Sequence, residues 1–178
     1  MSYIEVINES KFYGDGATQI AANDQVSFSI AENEFTIIVG PSGAGKSTLL
    51  NILGGMDTPD EGQIFIDGTD IAQFNEKELT NYRRKDIGFI FQNYNLIPNL
   101  TTLDNVEMAA ELIDDALNPE EVVEAVGLGH RMNNFPAQLS GGEQQRVAIA
   151  RALVKKPKLH HQQNSIMQLF WSSPITAH

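Results

Sequence analysis

Phe35 to Leu53 read FTIIVGPSGAGKSTLLNIL, and this stretch decides the fold. Phe35 to Val39 is a short apolar run, the pattern of a buried strand, and Thr48 to Leu53 continues as an apolar helix. Between them Gly40-Pro41-Ser42-Gly43-Ala44-Gly45-Lys46-Ser47 fits GxxxxGK[ST] at every position. In such a loop the glycines let main-chain N–H groups converge on phosphate oxygens, and the helix that follows turns its positive end toward them. Lys46 suits charge neutralisation at the β and γ phosphates, and Ser47 suits a Mg²⁺ that bridges them. Gly-rich turns also join strands to helices without any ligand; the flanking strand and helix give the motif its weight. Gly40 to Thr48 is therefore the candidate nucleotide-binding loop.

Outward from this loop the pattern is α/β. Alternation over Tyr3 to Ile7 and Val26 to Ile30, with Gly14, Asp15 and Gly16 between, predicts an antiparallel region at the start. Gln63 to Ile66 reads as a strand closed by a turn at Asp67 and Gly68. Asn75 to Arg84 reads as a helix and Ile87 to Phe91 as a strand. Thr101 or Thr102 caps a predicted helix running to about Leu117, and Asn118 with Pro119 starts another that Gly127 ends. Leu139 to Leu153 read LSGGEQQRVAIARAL. Ser140 and Glu143 stand there at capping-box spacing, opening a helix whose Val147, Ala150, Leu153 and Val154 face a core and which ends before Pro157.

The chain has 178 residues, 42% hydrophobic and 20% charged, which suits one domain, and no run approaches the roughly 20 apolar residues of a membrane span. The N-terminus has neither a basic nor an apolar leader pattern, so a cytoplasmic location is expected. A formal charge of -11 argues against nucleic acid as a partner, since that affinity rests on clustered Lys and Arg. No Lys or Arg stands between Asp86 and His130, while Asp104, Glu107, Glu111, Asp114, Asp115, Glu120, Glu121 and Glu124 do; a solvated acidic face explains most of these. With no Cys there is no disulfide, thiolate nucleophile or Cys-ligated zinc.

GPSGAGKST and LSGGEQQRVAIARAL together resemble the ATP-binding subunits of ABC transporters, and IGFIFQNYNLIPNLTTLDNV with LLNILGGMD resembles the subgroup serving lipoprotein release and macrolide or peptide export. The resemblance covers roughly residues 1 to 159. It implies a P-loop ATPase core with an N-terminal antiparallel β region and a helical insert, C-terminally incomplete. Residues 1–92 and 141–159 would be the core, 93–140 a helical subdomain with the signature at its end, and 160–178 an aberrant tail. It implies that Ser140, Gly141 and Gly142 contact the γ-phosphate of ATP on a second subunit, so that a head-to-tail dimer, expected to be a homodimer, encloses two ATP molecules. Gln92 corresponds to the glutamine that reaches toward Mg²⁺ and the attacking water, and Tyr13 to the aromatic that stacks on adenine. Asn33 stands where relatives carry Gly, a harmless departure because Asn tolerates positive φ. A separate integral membrane permease is the implied partner, with the chain peripheral at the inner face of the membrane.

Relatives run from KKPKL into an apolar strand ending in Asp-Glu, whose carboxylates hold Mg²⁺ and polarise water. Here Leu159 is followed by His160 and His161, and no Asp or Glu follows Glu143. Asp67 precedes Gly68 and reads as a hairpin residue, not a replacement, and His178 has no strand context for a switch histidine. The tail from His160 shows neither helical nor strand periodicity. Read two bases on, its codons permit an apolar strand ending in His, which is similar to the family's switch strand and suggests an internal deletion with a frame change. Loss of the carboxylate strand should leave Phe35 to Val39 with unpaired backbone groups and the fold marginal. The reading is an exporter ATP-binding subunit with little hydrolysis; the alternatives are a non-catalytic module that ATP dimerises and a soluble ABC protein.

Overall fold

The computed structural model describes residues 2–32, 34–91, 93–162 and 167–172. In chain order the longer elements are β1 Ser2–Tyr13, β2 Ile20–Ala31, β3 Phe35–Val39, α1 Lys46–Leu53, β4 Glu61–Ile66, β5 Thr69–Asp70, α2 Glu76–Lys85 and β6 Ile87–Ile90. There follow α3 Thr102–Ala110, α4 Pro119–Ala125, α5 Gly141–Leu153, β7 Leu159–Gln162 and β8 Met167–Ser172. The described residues divide into two compact units, 2–83 with 167–172, and 84–162.

The first unit is built on an antiparallel sheet ordered β2-β1-β4-β5. The predicted alternation sets its register: Ile4 pairs with Ile30 and Ile66, and Val6 with Phe28 and Ile64. Ile4, Val6, Ile30, Ile64 and Ile66 are all buried, together with Leu50, Ile52 and Leu53 of α1. Asp67 and Gly68 both have positive φ, the geometry of a two-residue hairpin, so Asp67 is the turn residue the sequence indicates. Asn75 caps α2, its Oδ1 accepting from the amides of Lys77 at 3.0 Å and Glu78 at 3.1 Å. Tyr82 of α2 is buried and donates its hydroxyl to the carbonyl of Leu53 at 2.8 Å, tying α2 to the end of α1.

Two expectations for β3 are corrected. Its main chain is paired: β8 lies antiparallel along it, Phe35 opposite Trp171 and Val39 opposite Met167. Main-chain pairing needs only an extended partner, and the Leu169-Phe170-Trp171 stretch has the aromatic composition that strands favour. The strand is also not buried on both faces, since Phe35, Ile37 and Val39 are 56%, 46% and 70% exposed. An apolar run signals the capacity for burial, and whether a neighbouring layer covers it is decided elsewhere in the chain.

The second unit pairs β6 with β7 in parallel, Ile87 opposite Leu159 and Ile90 opposite Gln162. Two strands thus form in the tail that lacks strand periodicity; the rest of that tail, His178 included, lies outside the described residues, as does Asn33. Helices α3, α4 and α5 enclose a core of Val106, Ala109, Val122, Val123, Leu128, Leu139, Val147, Ala150 and Val154. Thr101 and Asp104 form a capping box at the start of α3, and Asn118 caps α4 with Pro119 in its first turn.

Helix α3 ends at Ala110, short of the expected Leu117. Glu107, Glu111, Asp114 and Asp115 crowd the negative end of its dipole, and the Leu117 amide donates at 2.8 Å to the carbonyl of Val154 at the end of α5. Both effects turn the chain out of the helix.

Candidate functional site

Gly40 to Thr48 lies in the first unit, between β3 and α1 as the sequence indicates. Gly43 and Gly45 have φ of +81° and +75°, a region costly for residues with a Cβ. They differ in surroundings. A Cβ on Gly45 would collide with the Ala22 carbonyl oxygen and with Asn23 Oδ1, so the loop rests directly on β2; one on Gly43 would meet nothing within 4 Å. Pro41, Ser42, Gly43 and Ala44 are exposed. Below them the buried Asn23 donates its amide to both carboxylate oxygens of the fully buried Glu9, at 3.2 and 2.9 Å. Burial pushes the Glu9 carboxyl above its ordinary value, against the opposing pull of the Asn23 bond.

Lys46 is 9% exposed, and its ammonium donates to the carbonyls of Gly40 and Pro41, both at 2.8 Å. A buried cation thus sits inside the turn, while the amide end of α1 faces the same turn. An open shelf at Gly43, a buried positive charge and a helix N-terminus fit a polyphosphate. Among the described residues no cluster of three or more His, Cys, Asp or Glu is arranged to hold a metal. Ser47, the second residue of α1, is the hydroxyl that would take part in holding a divalent ion carried on phosphate oxygens.

Tyr13, the last residue of β1, is 45% exposed, and its hydroxyl donates to Asp57 Oδ2 at 2.9 Å. The Thr48 hydroxyl hydrogen-bonds to the same phenol, which brings the aromatic candidate to the first turn of α1. Lys11 lies 3.1 Å from Asp57 Oδ1 and 3.5 Å from Asp60 Oδ1, and its ammonium stands 5.7 Å from the centre of the Tyr13 ring. Burial raises the Tyr13 phenol above its ordinary value, and the Asp57 bond adds to it. Burial also opposes the ionised form of Asp57, but bonds from Lys11, Tyr13 and the Thr58 amide outweigh it and hold the carboxyl below its usual range. Asp57 and Lys11 are absent from the sequence-level site; acidic Asp57 and Asp60 flanking a Pro turn were the available signal.

The signature belongs to the second unit. Ser140, Gly141 and Gly142 are exposed at the start of α5. Glu143 Oε2 accepts from the Ser140 amide at 2.8 Å, and Glu143 Oε1 lies 3.2 Å from Arg131 Nε. The Ser140 bonds, with Arg131 a lesser contributor, hold the Glu143 carboxyl below its ordinary value. Gln92 lies outside the described residues. Just beyond it, Arg151 of α5 donates to the carbonyls of Tyr94 and Asn95, a link that periodicity alone does not signal.

The ABC transporter family profile matches residues 23–161. An ABC transporter ATP-binding protein of Mycoplasma pneumoniae, a homologue of MG065, is 45% identical over 159 residues, covering 88% of this chain and 34% of that protein. The lipoprotein-releasing system ATP-binding protein LolD of Shewanella frigidimarina is 44% identical over 161 residues, covering 88% of this chain and 67% of that protein. The solved structure of the ATP-binding cassette MJ0796, a dimer in a post-hydrolysis state bound to ADP and Pi, superposes with a TM-score of 0.80 at 42% identity, over 89% of this chain and 72% of that one. The chain spans about a third of the Mycoplasma protein and about two thirds of LolD. Phosphate loop, signature and these likenesses agree, and the chain belongs to the ABC transporter family, among its ATP-binding subunits.

Proposed function

We propose that this chain binds Mg-ATP on Gly40 to Thr48 and serves a transporter of the lipoprotein-release type, whose membrane permease is a separate polypeptide. The observation that carries the reading is the buried Lys46 ammonium inside an exposed glycine turn at the head of α1. Lys46 and the loop amides hold the triphosphate, Tyr13 meets the adenine, and Ser47 with Gln92 holds Mg²⁺. Bound Mg²⁺ would screen phosphate charge. In this reading residues 1–92 and 141–159 are the nucleotide-binding core, 93–140 the helical arm and 160–178 a tail outside it.

Exposed Ser140, Gly141 and Gly142 are suited to cover the nucleotide of a second, identical subunit. The dimeric cassette at 42% identity supports that arrangement. None of the described helices is long and apolar enough to cross a membrane, and the proposed seat is the permease's cytoplasmic face. The acidic balance and the LolD likeness favour this over a ribosome- or DNA-directed protein.

Hydrolysis by this chain is slow in this reading, because His160 and His161 follow Leu159 where the resembled subunits continue into the strand that carries the Asp-Glu pair. Titration calorimetry with Mg-ATP tests binding: the parent gives a saturable heat and Lys46→Ala loses it. Equal heats from both proteins would sink the proposal. Mg-dependent phosphate release from the parent stays near background, and robust release abolished by Lys46→Ala would refute the claim of slow hydrolysis.

A further inference from the structure

An exposed aromatic ring is a poor platform if it swings freely, since binding must then also fix a mobile side chain. Tyr13 ends its strand, and the next residue, Gly14, has φ +84°, so the backbone after the ring turns sharply away. The ring is nevertheless tied at its far end. Its hydroxyl donates to Asp57 Oδ2, while the other Asp57 oxygen faces the Lys11 ammonium at 3.1 Å.

Asp57 is itself placed from α1. The Met56 and Asp57 amides both donate to the Asn51 carbonyl, at 2.7 and 3.3 Å, and Asp57 Oδ1 accepts from the Thr58 amide at 2.8 Å. Lys11 is nine-tenths buried and donates to the Thr58 carbonyl at 2.7 Å. Asp60 adds a second anchor, its Oδ2 accepting from the Phe12 amide at 2.7 Å. One helix therefore carries the phosphate-binding residues at its start and fixes the ring's tether just past its end. Lys11 stands toward one side of the ring, and 45% of the residue remains exposed to a ligand.

We infer that Asp57, held by Lys11, is a positioning residue that fixes the Tyr13 ring at the angle and distance from the phosphate loop that a nucleotide base requires. This rests on the reading of Tyr13 as the adenine platform. The brace acts on the base and not on the phosphates, so it separates a nucleoside triphosphate from a triphosphate that lacks the nucleoside.

The test compares Mg-ATP with Mg-tripolyphosphate, by calorimetry on the full chain and its variants. Asp57→Ala weakens ATP by about fivefold, the size of one lost hydrogen bond, and leaves tripolyphosphate unchanged. Tyr13→Phe, which keeps the ring and removes the hydroxyl with its bonds to Asp57 and Thr48, loses at least as much. The double variant Tyr13→Phe/Asp57→Ala is no weaker than Tyr13→Phe alone, because the tether to Asp57 is already lost with the hydroxyl. Asp57→Asn, which keeps one acceptor oxygen where Asp57 uses two, recovers part of the affinity. Asp57→Ala with parental ATP affinity, where Tyr13→Ala is weak, would overturn the brace and leave the platform standing. Tyr13→Ala with parental affinity would overturn both. Equal losses for ATP and tripolyphosphate in Asp57→Ala would make Asp57 a residue of the fold alone and also reject the inference.

Discussion

Arg151 Nη2 donates to the carbonyl oxygen of Tyr94 at 2.7 Å, and its Nη1 reaches the carbonyl of Asn95, so one guanidinium holds two successive peptide units. Tyr94 and Asn95 have φ of 60° and 46°, a left-handed conformation that costs a residue with a Cβ about 1–2 kcal/mol. Arg151→Lys keeps the charge but cannot fork. It is expected to lower urea stability by about 1–3 kcal/mol and to speed hydrogen exchange at the Tyr94 and Asn95 amides. Unchanged exchange at those amides would show that the turn holds itself.

The two positive-φ glycines of the candidate loop should fail differently on gaining a Cβ. Gly45→Ala meets the Ala22 carbonyl and Asn23 and is expected to destabilise the protein by more than about 2 kcal/mol. Gly43→Ala has open space and carries only the conformational cost of about 1–2 kcal/mol. Its methyl instead intrudes on the shelf, so a folded protein with weakened Mg-ATP binding is the outcome to look for. Thermal denaturation beside calorimetry distinguishes the two, and equal stability losses would count against this account.

Lys155 supplies a pH signature. Its ammonium donates to the carbonyls of Ile87 at 2.7 Å and Arg84 at 3.2 Å, and burial, with Arg151 nearby and only partly offset by Asp86, lowers it from 10.5 to about 8. Between those values the unfolded chain binds more protons than the folded one, so stability rises with pH across that interval. Below about 8 both states are protonated and the cost of burying the charge is fully present. The rise is expected to be on the order of 1–3 kcal/mol and to disappear in Lys155→Met. Parallel stability curves for the two proteins would contradict this.

Ser140→Ala removes the side chain that closes the capping box of α5, at an expected cost of about 1 kcal/mol. The Glu143 carboxyl should move back up toward its ordinary value, which a carbon-detected pH titration reads. Under the dimer proposal the same change also weakens Mg-ATP-induced association in the ultracentrifuge. Parental dimerisation would remove Ser140 from the contact.

What was legible in the sequence is what is local. The phosphate loop, the caps at Thr101, Asn118 and Ser140, and the Asp67-Gly68 turn each depend on residues a few positions apart, so spacing encodes them. Tyr13 and Asp57 are 44 positions apart, and only the pairing of β1 with β4 and the return of the chain past α1 bring them together. Asn105 was hidden for the opposite reason. On an acidic helix it reads as one more solvated residue, yet it is fully buried, donating to the carbonyls of Ile97, Leu100 and Thr101 and accepting from the Ile97 amide. The environment of β3 was misread because apolar content reports what a strand can bury, while coverage is settled by layers contributed from elsewhere.

Gly45 seated on Ala22, with Asn23 gripping Glu9 beneath, gives the proposed triphosphate receptacle a firm base on the antiparallel sheet. With its base already set, this site has only the Lys46 ammonium to release from the Gly40 and Pro41 carbonyls, a fast side-chain movement. Mixing with nucleotide should therefore give a single exponential whose rate climbs linearly with concentration, limited by encounter and not by reshaping.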